Sequence, residues 1–210
     1  MTTTQVLHHK IIRAGKPLAE AKHAMILTHG RGADAQDILS LANYFPVKDF
    51  ALLAPEATGN TWYPYSFMAP VASNEPWLTS ALQLLSTIVR EIDAAGIEKQ
   101  NIYFLGFSQG ACLTLEFVAR NAARYGGVIA FTGGMIGEKI NASNYKGDFG
   151  GMPVFIGTSD PDPHVPVSRV KETTRILTEM HANVNEKVYP MMGHTITIEE
   201  IEEAKRVVFV

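Results

Sequence analysis

Short apolar runs recur along the chain, each about the length of one β-strand. The runs are rich in β-branched and aromatic residues and are bounded by glycine, proline or polar residues, a pattern typical of buried strands. They predict strands at residues 24–28, 50–54, 102–105, 127–131 and 153–156, with a weaker alternating run at 185–189.

Amphipathic stretches of helical length lie between these runs. They predict helices at residues 33–43, 75–95, 109–121 and 168–180, and a last helix from about Ile198, where Thr197 and Glu200 have the spacing of a capping box. Strands and helices therefore alternate along the chain. That alternation predicts an α/β fold with a mostly parallel, doubly wound sheet and helices on both faces.

The remaining segments complete this picture. Residues 6–12 and the turn at 15–17 predict an antiparallel edge strand at the start of the sheet. Residues 55–73 and 133–152 are rich in glycine, proline and aromatic residues and predict two surface loops, with no insertion long enough for a large lid. In such a sheet, ligands bind outside the carboxyl ends of the strands, so we expect the functional site at that edge.

Length and composition narrow the possibilities. The 210 residues favour a single domain over residues 1–210, and 46% hydrophobic residues suffice for a core without metals or disulfides. A net charge of -3 without a dense basic run argues against binding to nucleic acid. No apolar run approaches the roughly 20 residues that cross a bilayer, so stable membrane insertion is not expected. A single cysteine, Cys112, and no signal-peptide pattern in residues 1–12 indicate a reducing cytoplasm.

The stretch GFSQGA carries the first sign of chemistry, because Ser108 stands between Gly106 and Gly110 after a predicted strand and before a predicted helix. That context is typical of a nucleophile elbow, in which a serine occupies a strained turn with small neighbours. A serine hydroxyl needs a base to take its proton and an acid to orient that base. On this architecture the acid and then a histidine should follow in later loops.

Candidates for both partners follow in that order. His194, in MMGHT beyond the run at 185–189, lies where a base is expected, whereas His164 shares a loop with the acids and is less well placed. The loop GTSDPDPHVP offers Asp160 and Asp162 as the acid, and the residues alone do not separate them, because Asp-Pro is also ordinary turn chemistry. No histidine pair has metal-ligand spacing, so we expect neither a metal nor a cofactor.

An oxyanion hole needs two amides aimed at the charge that develops during acyl transfer. The Gln109 amide directly follows the serine, and the glycine-rich loop THGRGAD after the first central strand would supply the amide of Arg31. The alternative for this loop is a simple glycine-rich turn.

With these residues assembled, the chain resembles the α/β-hydrolase superfamily. Within it, the chain is similar to the phospholipase/carboxylesterase group, which includes bacterial carboxylesterases and acyl-protein thioesterases. The resemblance covers nearly the whole chain and rests on HGRGAD, GFSQGA, DPHVP and the GH before the terminal helix. It implies an α/β-hydrolase fold, with Asp162 rather than Asp160 as the acid.

The resemblance also implies residues that contact substrate. The segment APEATGNTWYPYSF resembles the group's loop beside the acyl pocket, so Trp62 and Tyr63 are expected to bind substrate together with His29 and Gly30. The alternative is that Trp62 and its neighbours cover the core. The group usually carries an apolar residue where this chain has Arg31, whose side chain would bring a cation to the mouth of the site.

The sequence thus predicts a serine esterase that uses Ser108, Asp162 and His194 on a small-molecule ester. Alternatives are a thioesterase or a dienelactone-hydrolase-like enzyme on the same site, and a non-catalytic protein that binds a small ligand. Dienelactone hydrolases use a cysteine nucleophile, and Cys112 lies four residues beyond the serine position, where packing is its expected role. The number of subunits stays open, and aromatic loops near the site offer one way to form a homodimer.

Overall fold

Seven β-strands run through residues 7–209, the part of the chain that this computed structural model describes. They are β1 (Lys10–Gly15), β2 (His23–Thr28), β3 (Phe50–Glu56), β4 (Ile102–Phe107), β5 (Gly127–Phe131), β6 (Pro153–Asp160) and β7 (Asn183–Pro190). They form one sheet in the order β1-β3-β2-β4-β5-β6-β7. The edge strand β1 is antiparallel to β3, and every other pair is parallel, so the carboxyl ends of six strands meet at one edge.

Five α-helices cover the two faces of this sheet. They are α1 (Ala35–Ser40), α2 (Trp77–Ala94), α3 (Gln109–Arg120), α4 (Val167–Glu179) and α5 (Ile198–Val208). One core cluster packs α2, α3 and α4 on the first face, and a second packs α1 and α5 on the other. The predicted α/β class and the placement of helices on both faces are therefore confirmed. In the described part of the chain, none of these helices is both long and apolar enough to cross a membrane.

The boundaries of several elements differ from the prediction. Strand β6 continues to Asp160 instead of ending at 156, because its whole length pairs with β7. Helix α1 ends at Ser40, and the chain continues as a 3-10 turn to Tyr44. The predicted edge strand lies at Lys10–Gly15, later than 6–12, and residue 6 is outside the described residues.

The two predicted loops lie where expected along the chain and carry many exposed residues, but several of their side chains also enter the core. Within residues 7–209 they are the longest segments without a strand or an α-helix. Trp62 and Tyr63 of the first loop are buried, and so are Met135 and Phe149 of the second. Their side chains complete the core on the face of α2, α3 and α4. Most aromatic residues in these loops therefore serve as packing, whereas Tyr65 is exposed.

Glu200 is a buried carboxylate on the first turn of α5. Its side chain faces Gly157 of β6, where a larger residue has no room, and neither carboxylate oxygen has a normal hydrogen-bond partner among the described residues. The Thr197 hydroxyl accepts a bond from the Glu200 amide at 3.3 Å, so the predicted capping box forms in one direction only. Burial raises the pKa of Glu200 from 4.5 to about 8, against the opposing effect of the Thr197 amide.

A pH-dependent stability follows from this carboxyl group. Its pKa is raised in the folded state, so its contribution is complete below the unfolded pKa and is lost as the pH rises through about 8. The neutral variant Glu200→Gln avoids that loss. The difference in free energy of unfolding between this variant and the wild type should shift in favour of the variant by on the order of 4 kcal/mol from about pH 5 to pH 9. Urea unfolding of both proteins across this pH range measures the shift.

The exposed Glu202, on the same helix, provides the matched control, because its surface pairing with Lys205 contributes little. Glu202→Gln should show no comparable gain at high pH. A difference between Glu200→Gln and the wild type that stays constant across this pH range would contradict the assignment.

Candidate active site

Ser108 occupies a tight turn between β4 and α3. Its φ of 52° and ψ of -119° are strained for a residue with a side chain, and its amide donates to the Phe131 carbonyl at 2.9 Å. A Cβ at Gly106 would lie 2.7 Å from the carbonyl oxygen of Gly110, and one at Gly110 would overlap the Thr28 carbonyl. Both positions of the motif therefore require glycine, because the first turn of α3 packs directly on β2.

A chain of hydrogen bonds joins Ser108, His194 and Asp162. The serine Oγ lies 2.8 Å from His194 Nε2, and His194 Nδ1 lies 2.8 Å from Asp162 Oδ2. With the Nδ1 proton donated to the carboxylate, Nε2 has a free lone pair that faces the serine hydroxyl. The structure thus brings together the three side chains that the sequence predicted as nucleophile, base and acid.

Asp162 is held as a carboxylate by its own loop. Its side chain is fully buried, and Oδ1 accepts bonds from the amides of His164 and Val165, both at 2.8 Å. Burial acts to raise the pKa of Asp162, but these amides and His194 outweigh it and leave the pKa below the usual value. Asp160, by contrast, is exposed at the end of β6, where its carbonyl accepts the Met191 amide.

The amides of Arg31 and Gln109 have the free donors that an oxyanion hole requires. Gln109 opens α3, so its amide has no partner within the helix, and neither amide donates to another group in the part of the chain that is described. Asp34, the last residue of the HGRGAD motif, caps α1 by accepting from the amides of Gln36 and Asp37. The motif therefore ends in the turn that starts a helix.

A cavity of about 450 Å³ opens beside these groups. Arg31, Ser108, Gln109 and His194 line it, together with the aromatic loop, which is the first of the two predicted loops at residues 55–73. The loop residues that line it are Tyr63, Pro64, Tyr65, Ser66 and Phe67. The cavity can therefore hold a small ligand with its reacting carbon at Ser108.

Of the four residues expected to bind substrate, only Tyr63 lines this cavity. The prediction for Trp62 and His29 is wrong, because both side chains are fully buried and bond to backbone. Trp62 Nε1 donates to the His29 carbonyl at 2.8 Å, and the Ala57 amide donates to His29 Nε2 at 3.0 Å. Gly30 is buried too, and it lies outside the cavity wall.

Burial lowers the pKa of His29, against the opposing bond to the Gly30 carbonyl, and this favours the neutral ring. Its neutral Nε2 can then accept the Ala57 amide, with Nδ1 donating to the Gly30 carbonyl at 2.8 Å. His29 thus braces the start of the aromatic loop. The histidine of the HGRGAD motif therefore has a structural role.

His164, a weaker candidate for the base than His194 on sequence grounds, also lines the cavity. Its ring meets the His194 ring edge to face, with centroids 4.8 Å apart, and it lies at the exposed rim of the cavity. Phe107, whose ring centroid is 5.3 Å from that of His194, was not singled out at all. The spacing of His164 two residues after the acid was the available signal. Among residues 7–209, no group of three acidic, histidine or cysteine side chains could hold a metal ion.

The sequence model for the phospholipase/carboxylesterase family matches residues 9–208. The chain belongs to the phospholipase/carboxylesterase family. This membership confirms the predicted resemblance and assigns the chain to the carboxylic ester hydrolases. One curated relative of this family member is acyl-protein thioesterase 1 of Saccharomyces cerevisiae, which is 28% identical over 91% of this chain and 94% of its own length.

Solved structures agree with the family. A phospholipase/carboxylesterase from Dyadobacter fermentans is 53% identical, with a TM-score of 0.96 over 99% of this chain and all of that one. The Bacillus cereus carboxylesterase superposes with a TM-score of 0.76 at 21% identity, over 94% of this chain and 92% of its own, which shows the shared fold. The α/β-hydrolase fold predicted from the sequence is thus confirmed for this member of the family.

The two aspartates of this ester hydrolase should differ sharply in a substitution test. Asp162→Asn removes the carboxylate that faces His194 and should lower kcat/KM for p-nitrophenyl acetate by about 10³- to 10⁴-fold. Asp160→Asn is the matched control and should change it by less than about threefold, because this exposed side chain has no bond to the histidine. The opposite ranking would show that the acid had been assigned wrongly.

Proposed function

We propose that this protein is a serine carboxylesterase that cleaves small carboxylic esters through an acyl-enzyme on Ser108. The observation that carries the proposal is the pair of 2.8 Å bonds from Ser108 through His194 to Asp162. A base aligned with a serine hydroxyl, and itself oriented by a buried carboxylate, is the arrangement that makes serine a nucleophile. The cavity beside Ser108 leaves space for the ester.

In the first half of the proposed reaction, Ser108 Oγ attacks the ester carbonyl carbon while His194 Nε2 takes the hydroxyl proton. The carbonyl oxygen becomes an oxyanion that the amides of Arg31 and Gln109 bind. The ester C–O bond then breaks, and the proton on Nε2 passes to the departing alkoxide. Asp162 accepts the Nδ1 proton in a hydrogen bond and stabilises the positive imidazolium.

In the second half, a water molecule attacks the acyl carbon of the Ser108 ester. His194 Nε2 takes a proton from this water and returns it to the serine oxygen as the acyl–serine bond breaks. The products are the carboxylic acid and free enzyme. Every step uses groups of this chain and water, so the proposed chemistry needs no cofactor.

Thioesters are the second substrate class for the same site. A thiolate is a good leaving group, so a thioester would pass through the same acyl-enzyme with less demand on His194 as an acid. The curated relatives named acyl-protein thioesterases favour this class. A comparison of kcat/KM for an oxygen ester and for its matched thioester, measured with the same enzyme preparation, would rank the two substrate classes. A cytoplasmic location and a homodimer stay predictions from the sequence.

The cysteine-based alternative has little support from the surroundings of Cys112. The thiol is buried beneath the cavity, where the Gly134 amide is 3.5 Å from its sulfur. Burial raises the pKa of Cys112 to about 12, so the thiolate needed for attack is scarce at neutral pH. A protein that only binds a ligand, in turn, has no use for a histidine aligned with Ser108.

Substitution of Ser108 tests the proposal directly. Ser108→Ala removes the nucleophile and should lower kcat for p-nitrophenyl acetate by a factor on the order of 10⁵, with the fold retained. A fluorophosphonate probe should add one covalent label to the wild type and none to Ser108→Ala, as read by intact mass. The exposed Ser168 provides the control, and Ser168→Ala should match the wild type in both assays.

Three results would count against the proposal. Turnover retained in Ser108→Ala would reject the serine mechanism. Absence of both labelling and hydrolysis in the wild type would favour a ligand-binding protein. Inactivation of the wild type by a thiol reagent, with loss of activity in Cys112→Ala, would favour the cysteine alternative.

A further inference from the structure

Arg31 lines the cavity, and its side chain binds the aromatic loop. One amino group of its guanidinium donates to Thr61 Oγ1 at 2.8 Å and to the Pro64 carbonyl at 3.1 Å. The other donates to the carbonyls of Tyr63 at 2.9 Å and Tyr65 at 2.8 Å. Four acceptors within residues 61–65 therefore converge on one planar cation, a geometry that suits the fork of arginine.

The loop segment 61–65 depends on such side chains for its position. No backbone-to-backbone hydrogen bond joins it to another segment of the described chain. Arg31 supplies the donors for three of its carbonyls, and His8 Nε2 contacts a fourth, that of Trp62, at 3.0 Å. The bond to the Tyr63 carbonyl is partly buried and the other two are exposed, and together they fix three nearby carbonyls at once, so the guanidinium helps to set where this segment lies.

The side chain of Gln109 binds the same segment. Its Nε2 donates to the Tyr63 carbonyl at 2.8 Å, and its Oε1 accepts the Trp62 amide at 3.0 Å. The Tyr63 carbonyl thus accepts from both Gln109 and Arg31. The two residues proposed to bind the oxyanion through their amides thus also bind the cavity wall through their side chains. Asn74 is a further support, since it accepts the Tyr65 amide at 2.9 Å and donates to the Ser66 carbonyl at 3.0 Å.

The wall that these bonds position belongs to the same cavity as the serine. Tyr63, Pro64 and Tyr65 line this cavity together with Ser108 and His194. If the segment moved outward, the cavity would widen beside the acyl carbon. The backbone amide of Arg31 would not move with the segment. The guanidinium also has no carboxylate within ion-pair distance among residues 7–209, so its bonding is committed to this loop.

We propose that Arg31 is a positioning and specificity-determining residue, whose side chain holds the aromatic wall close to Ser108 so that the site prefers short acyl groups. This inference rests on the proposed esterase function. Arg31 lines the cavity, but its guanidinium bonds to the loop and not to Ser108, His194 or Asp162. It acts through the loop, by limiting the space for the acyl chain and by holding a compact group against Ser108.

A series of p-nitrophenyl esters from acetate through butyrate and octanoate to laurate tests this role. Arg31→Met keeps the length of the side chain and the backbone amide but removes every donor. The ratio of kcat/KM for butyrate to that for octanoate should fall at least about tenfold, mainly through a higher KM for butyrate. Arg31→Lys has a single ammonium that cannot bond four acceptors at once. Its ratio of kcat/KM for butyrate to octanoate should therefore lie between those of the wild type and Arg31→Met.

Arg175→Met is the matched control. Among residues 7–209, Arg175 forms only an exposed pair with Glu179 on α4, so the ester preference of this variant should equal that of the wild type. An unchanged ratio in both Arg31 variants would overturn the inference while leaving the esterase intact. An equal loss for all four esters with a lower melting temperature would also overturn it, since it would indicate a general structural role. If the wild type hydrolysed none of the esters, both the inference and the proposed function would fail.

Discussion

The site depends on one steric constraint, the direct packing of the first turn of α3 against the end of β2. Gly106 and Gly110 have no side chains, so the helix start can lie on the Thr28 carbonyl and hydroxyl. Thr28 also bonds to the start of the helix, because its hydroxyl donates to the Gly110 carbonyl at 2.9 Å. The turn between β4 and α3 is thereby forced to be tight, which raises Ser108 above the sheet edge in a strained conformation and frees the Gln109 amide.

The parallel register of the sheet then assembles the other groups at the same edge. Ser108 follows β4, Asp162 follows β6 and His194 follows β7, and the pairing of these strands brings together side chains that lie 86 and 32 residues apart in the chain. Local bonds keep the loops in place. Ser159 Oγ accepts the amide of Gly193, the residue before the histidine, at 2.9 Å.

Polar residues around the site serve mainly to hold loops. His29 supports the start of the aromatic loop, and Arg31 and Gln109 satisfy its carbonyls through their side chains. Because residues 61–65 of that loop belong to no helix or strand ladder, side chains must provide the partners that secondary structure provides elsewhere. One consequence is that Arg31 and Gln109 provide both the two free amides and side chains that hold the cavity wall.

The sequence by itself determined the fold class and the order of the elements, because hydrophobic periodicity and turn residues act over short distances. It also determined Ser108 and His194 as candidates, since this architecture carries its nucleophile on a glycine-flanked turn after a strand and its base in the loop after the last strand. The residues alone left Asp160 and Asp162 open, and the resemblance to the family favoured Asp162. The tertiary structure supplies the physical reason, because the Asp162 carboxylate bonds to His194 whereas Asp160 is exposed. It alone decided that Trp62 and His29 are packing residues and that the Arg31 side chain binds a loop. Direction and burial of a side chain depend on contacts with distant segments, and no local pattern encodes them.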